Sequence, residues 1–75
     1  MPVFNSQTLP APRPGRVWGL LIYPGGRKEL RQYPPDMLQD RDEAVRRLEA
    51  GREARVRLDD AGVVVAMWQA RKKTQ

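Results

Sequence analysis

"REARVRLDDAGVVVAMWQARKK", residues 52–73, is the stretch whose reading decides the fold. Its first part alternates: in an extended chain Ala54, Val56 and Leu58 fall on one side, and Arg55 and Arg57 on the other. Asp59-Asp60-Ala61-Gly62 is turn chemistry, with Gly62 able to take positive φ. The uncharged run Val63–Met67 is rich in β-branched residues and reads as a returning strand. A three-residue loop pairs Leu58 with Val64, Val56 with Ala66 and Ala54 with Trp68. Arg57 then faces Val65, and Arg55 faces Met67. A four-residue loop shifts each partner by one and moves Trp68 to the arginine side. Either way, Arg55 and Arg57 point away from the apolar side.

Working toward the N-terminus, "PPDMLQDRDEAVRRLEAG" (residues 34–51) is the helical segment. Asp40 with Glu43 has capping-box spacing, and Gly51 is a natural C-terminal stop. Ala44, Val45 and Leu48 share a face at the helical period, with Met37 and Leu38 one or two turns earlier. Asp36, directly after two prolines, is the alternative start.

Before it, "RVWGLLIYPGGRKELRQY" (residues 16–33) is rich in β-formers and is broken at Pro24-Gly25-Gly26, a hairpin signal. With Gly26 in a left-handed position, Tyr23 pairs with Arg27, Ile22 with Lys28, Leu20 with Leu30 and Trp18 with Gln32. One face then holds Trp18, Leu20, Ile22 and Leu30. The other holds Leu21, Tyr23, Tyr33, Arg27 and Arg31, with Glu29 between the arginines. Gly19 lies on that second face, where it marks a close approach to the backbone or a bulge.

These pieces predict an α+β domain of order β-β-α-β-β: an antiparallel sheet covered on one face by one helix. Residues 1–15, with four prolines, read as a flexible, disordered arm; residues 16–70 form the single domain; residues 71–75 are a basic tail. Seventy-five residues bury one small core, and the absence of cysteine removes any disulfide. No signal sequence is visible, and no apolar run approaches the roughly 20 residues that span a bilayer. The expectation is a soluble, cytoplasmic protein that needs no cofactor.

The net charge of +5 is unevenly placed: about +1 over residues 1–15, +3 over 16–33, −2 over 34–51 and +3 over 52–75. The helical segment is acidic and the strand segments are basic, which predicts a polarised surface. Catalysis fails on inventory. There is no His or Cys, and the Ser and Thr residues (Ser6, Thr8, Thr74) all lie near the termini. Asp40, Asp42 and Glu43 suit the positive end of a helix dipole better than a paired-carboxylate site. "DRDE" lacks the glycine and terminal glutamate of a calcium loop, and "PGGRK" lacks phosphate-loop spacing.

What remains is a candidate docking surface. Arg27, Arg31, Arg55 and Arg57 share the uncovered sheet face with Tyr33 and Met67, and Arg71, Lys72 and Lys73 extend it. Arginine makes planar bidentate contacts with carboxylate or phosphate. The first expectation is therefore a non-enzymatic regulatory protein that docks on a larger protein. Direct nucleic-acid binding by the same residues is the alternative, with Tyr33 as the stacking platform. A homodimer through the Val63–Met67 edge is the third. Trp18 and Trp68 are expected in the core. From Trp18 onward the chain is similar, in size and in hairpin–helix–strand order, to small phage proteins that bind and inhibit or reprogram host RNA polymerase. That likeness rests on no shared motif and carries no residue role. It makes transcription machinery the partner it implies.

Overall fold

A computed structural model describes residues 9–73, the last of them by its backbone alone. The elements are β1 (Val17–Ile22), β2 (Lys28–Tyr33), α1 (Arg41–Glu49), β3 (Ala54–Arg57) and α2 (Ala61–Lys73). The strands form one antiparallel sheet in the order β2-β1-β3. Residues 1–8 of the expected arm, with Ser6 and Thr8, and residues 74–75 of the expected tail lie outside the described residues. Among the described residues, no helix is long and apolar enough to cross a membrane.

The first hairpin has the expected pairing: Ile22 with Lys28, Leu20 with Leu30 and Trp18 with Gln32. The Tyr23 amide donates to the Arg27 carbonyl at 2.8 Å, and Gly26 takes φ +101 in the turn. α1 begins where Asp40 caps it, its carboxylate accepting from the Glu43 amide at 2.8 Å. The alternative start, Asp36, sits in a short 3-10 turn at Pro35–Met37. The helix ends in a Schellman arrangement: Arg52 N–H donates to Arg47 O and Gly51 N–H to Leu48 O. That geometry requires Gly51 at φ +80. Ala44, Val45 and Leu48 are buried, as their spacing predicts.

The second hairpin does not form. β3 is followed by a 3-10 turn at Leu58–Asp60 and then by α2, so the order is β-β-α-β-α, with three strands and two helices. The physical reason lies in the period of the buried side chains. Ala61, Val64 and Trp68 are buried, and Val65 and Met67 pack against the core. The positions 61, 64, 65 and 68 form one helical stripe. The strand preference of three valines is worth only fractions of a kcal/mol per residue, and packing overrides it. Asp59 and Asp60 lie just before the positive end of α2, and Arg71, Lys72 and Lys73 form its last turn instead of a separate tail. Gly62 takes no positive φ.

One face of the sheet carries the core. Ile22, Ala54 and Val56 meet Ala44, Val45 and Leu48 of α1 and Ala61, Val64 and Trp68 of α2, with Leu20 packed alongside. Burying each of the largest fully buried side chains, Ile22, Val45, Val56 and Val64, contributes about 1.5–3 kcal/mol. Both helices pack over β3 and the adjoining side chains of β1, and neither packs extensively on β2.

Residues 34–40 form a strap across the opposite face. They leave β2 at Tyr33 and reach the outer edge of β3. There Gln39 N–H donates to Arg55 O at 2.8 Å, and Arg55 N–H donates to Gln39 Oε1 at 2.6 Å. Gly19 makes the crossing possible. A Cβ there would lie 2.8 Å from Val56 O, 3.1 Å from Tyr33 Cδ2 and 3.2 Å from Leu38 Cδ2. The close approach read from Gly19 is real, and no bulge accompanies it: the pairing runs unbroken on both sides of β1.

Candidate docking surface

The pairing of β1 with both neighbours sets the strap-side face. Gly19 lies between Arg31 and Arg57, and Leu21 between Glu29 and Arg55. Three of the expected arginines, Arg31, Arg55 and Arg57, are thus brought together on one face. Val65 and Met67 are not: both lie on α2 and pack against the core, so Met67 belongs to no sheet surface.

This face is less available than its composition implies. Glu29 accepts from Arg31 at 2.7 Å and lies 3.8 Å from Arg27. The hydrogen bond from Arg31, reinforced by its charge, the Tyr23 hydroxyl and Arg27, holds the Glu29 carboxyl below the usual range against some desolvation. The same bond raises the Arg31 guanidinium. Tyr33 is only 8% exposed, and its ring lies against Gly19 and beneath the Arg55 guanidinium, 5.9 Å away. Tyr23 has Arg27 over its ring at 4.3 Å. Of the four expected face arginines, Arg57 alone is exposed with no carboxylate partner among the described residues.

The basic residues of α2 serve the helix pair. Arg71 reaches Asp42 and Glu49 of α1, each at 3.9 Å. Lys72 lies 5.0 Å from the Trp68 ring centre and covers the core tryptophan. The Lys73 side chain lies outside the described residues. Trp68 is core, as expected; Trp18 is half-buried.

Candidate docking residues that the sequence reading missed lie in the described part of the arm. Arg13-Pro14-Gly15-Arg16 is a turn with Gly15 at φ +77, closed by Arg16 N–H donating to Arg13 O at 3.0 Å. Proline followed by a left-handed glycine is the signature of a type II turn, and "RPGR" carried that signal. The turn is fastened to β2, because Arg13 N–H donates to Gln32 Oε1 at 2.9 Å and Arg16 Nη1 to Gln32 O at 3.4 Å. Upstream, Pro10 O accepts from Trp18 Nε1 at 2.7 Å.

Trp18 therefore stands between two clefts. One, of about 470 Å³, is lined by Arg13, Arg16, Leu30, Arg31 and Gln32 with Trp18 itself. The other, of about 160 Å³, brings Pro12, Arg57, Leu58 and the acidic Asp59 to its far side. Arg13 and Arg16 are exposed and, like Arg57, lie within ion-pair distance of no carboxylate among the described residues. Elsewhere Arg41 is matched with Asp60 at 3.0 Å, Arg47 with Glu53 at 3.9 Å and Arg71 with two acids of α1, while Arg46 and Arg52 are exposed and have no carboxylate partner among the described residues. A larger hollow of about 570 Å³ lies at the opposite end, between the first hairpin turn and the helix ends. Its basic walls are Arg71 and Lys72, the residues already placed on Glu49 and Trp68.

Comparison of the chain with protein-family models, with curated proteins and with solved structures returns no significant match.

Proposed function

We propose that this chain is a non-enzymatic binding module that docks on an acidic surface of a larger protein. One observation carries the reading: Arg13, Arg16 and Arg31 line one of the two clefts that share the half-buried Trp18, and Arg57 lines the other. Three of those four guanidinium groups have no carboxylate partner among the described residues. An arginine cluster with an apolar floor suits carboxylates presented beside apolar side chains. The lack of His, Cys, Ser and Thr between residues 9 and 73 favours binding over catalysis. RNA polymerase belongs among the first partners to assay, on the likeness in size and element order to small phage proteins.

The aromatic side chains favour a protein over a single-stranded nucleic acid. Base stacking needs an open ring face. Tyr33 and Trp68 are buried and Tyr23 is covered by Arg27, which leaves the half-buried Trp18 as a lone ring where a stacking platform uses several.

Fluorescence anisotropy with labelled polyglutamate and with a labelled oligo-dT strand tests the proposal. Polyglutamate is expected to bind at low salt and to weaken as salt rises. The combined variant Arg13→Glu, Arg16→Glu, Arg57→Glu should lose at least ten-fold in affinity while keeping the wild-type circular dichroism. Failure of polyglutamate to bind at low salt contradicts the proposal, and tighter binding of oligo-dT assigns the surface to nucleic acid.

A further inference from the structure

The two edges of the sheet are finished differently, and the difference falls beside the arginine cluster. In an antiparallel pair, residues alternate between bonding their partner strand and turning both backbone groups outward. The Tyr23–Arg27 pair is bonded through Tyr23 N–H, which sets the phase of the hairpin. Glu29, Arg31 and Tyr33 therefore bond β1, and Lys28, Leu30 and Gln32 turn away from it. On the far edge, Arg55 turns outward in the same manner, and Gln39 takes both its N–H and its carbonyl. On the β2 edge, the Gln32 carbonyl receives one long contact from Arg16. The outward groups of Lys28 and Leu30 have no hydrogen-bond partner among the described residues.

We propose that the free edge of β2 accepts an extended acidic segment of the partner protein as a fourth strand. This rests on the docking reading above and specifies how the partner is held. Such an added strand is bound by main-chain hydrogen bonds, and its alternate side chains set specificity. The residue opposite Leu30 would project on the side of Leu30 and Trp18, where neither helix packs extensively, and would be apolar. The residues two places before and after it would lie opposite Lys28 and Gln32. Lys28 is exposed, and Gln32 carries Arg13 and Arg16. Both residues would be acidic. The recognised pattern is acid-x-apolar-x-acid on an antiparallel strand, whose apolar residue exchanges both backbone hydrogen bonds with Leu30.

Charge selects this occupant over a second copy of the chain. Antiparallel pairing of two β2 edges about Leu30 would set Lys28 opposite Gln32 of the other copy, bringing Lys28 toward that copy's Arg13 and Arg16. Like charges held opposite each other across strands are destabilising. Edge lysines also guard natural sheets against indiscriminate pairing. Here the same charges that repel a second copy attract an acidic segment.

The test uses the full chain and a capped heptapeptide, Thr-Glu-Thr-Val-Thr-Glu-Thr, with two controls. One control replaces both glutamates by lysine. The other carries N-methylvaline, which keeps the charge and removes a strand hydrogen bond. The parent peptide should bind, should slow amide exchange at Lys28, Leu30 and Gln32, and should leave Glu29, Arg31 and Tyr33 little changed. The N-methyl peptide should bind at least ten-fold more weakly, and the lysine peptide should not bind. Equal binding of the parent and N-methyl peptides, without added protection, overturns strand addition and leaves the docking reading standing. Absence of binding by both the heptapeptide and polyglutamate at low salt overturns both. Protection of those three amides that rises with protein concentration alone would show a second copy in the place proposed for the partner, and overturns the inference.

Discussion

The β3 flank and the β2 flank of this sheet share a central strand and almost nothing else. Over β3, both helices close the core face, Ala54 and Val56 are buried, and Gln39 occupies the outer edge. Over β2, the edge is open, Leu30 is half-buried, and the nearest covering is a turn held by Gln32. A domain this small has one core to place, and placing it over β3 leaves the other flank thin. The core therefore lies on one side of β1, and the strand docking proposed above would use the other. Charge does not follow this division: on the β2 side Arg27 and Arg31 share Glu29, and on the β3 side Arg57 has no carboxylate partner among the described residues, as Arg13 and Arg16 have none.

The harshest way to break this comparison is to remove one large side chain from each flank. Trp68→Ala should cost about 3–5 kcal/mol, which approaches the whole stability of a domain this small and leaves it largely unfolded in a urea titration. Leu30→Ala, on the thin flank, should cost no more than about 1 kcal/mol, since the side chain is only half-buried. Equal losses would show that the core is not confined to the β3 side.

Gly19→Ala comes next. Its new methyl would meet the Val56 carbonyl oxygen at 2.8 Å, which neighbouring backbone cannot easily yield. Overpacking of this kind costs about 1–3 kcal/mol, measurable as a lowered urea midpoint. A neutral substitution would mean that Leu38 and Tyr33 do not lie on β1. Gln39→Ala sharpens the contrast between the edges. It removes the side-chain acceptor of Arg55 N–H, should cost about 1 kcal/mol and should speed exchange at Arg55 alone.

The smallest effect is in acid. Glu29 has a lowered folded-state pKa, so its contribution is complete above the ordinary glutamate range and is lost as pH falls through the lowered value. Glu29→Gln removes that increment, so its stability should fall less steeply below the glutamate range than the wild type's. The effect should shrink in high salt, because the pair is exposed.

Much of the fold was legible because local chemistry and packing agree there. Pro24-Gly25-Gly26 set the first hairpin, and the Asp40 cap with Gly51 bounded α1. At Val63–Met67 they disagree: valine favours strands, and the positions 61, 64, 65 and 68 trace a helix. Counting that period against alternation would have recovered α2, and with it the identity of Arg71–Lys73 as a helix end. The arginine face was partly legible, since alternation alone places Arg31, Arg55 and Arg57 together. Its roof was not. That the strap would cross over Gly19 depends on β3 joining the sheet beside β1, a tertiary fact with no local signature. The turn at Pro14-Gly15 was visible in the residues but was absorbed into a proline-rich arm.

Residue-resolved amide exchange of the free protein tests the division of the sheet most directly. Arg55, held by Gln39, should exchange slowly, and Lys28 and Leu30, turned outward from β2, should exchange at close to the rate of exposed chain. Slow exchange at Leu30 with fast exchange at Arg55 would reverse the two edges and contradict the account.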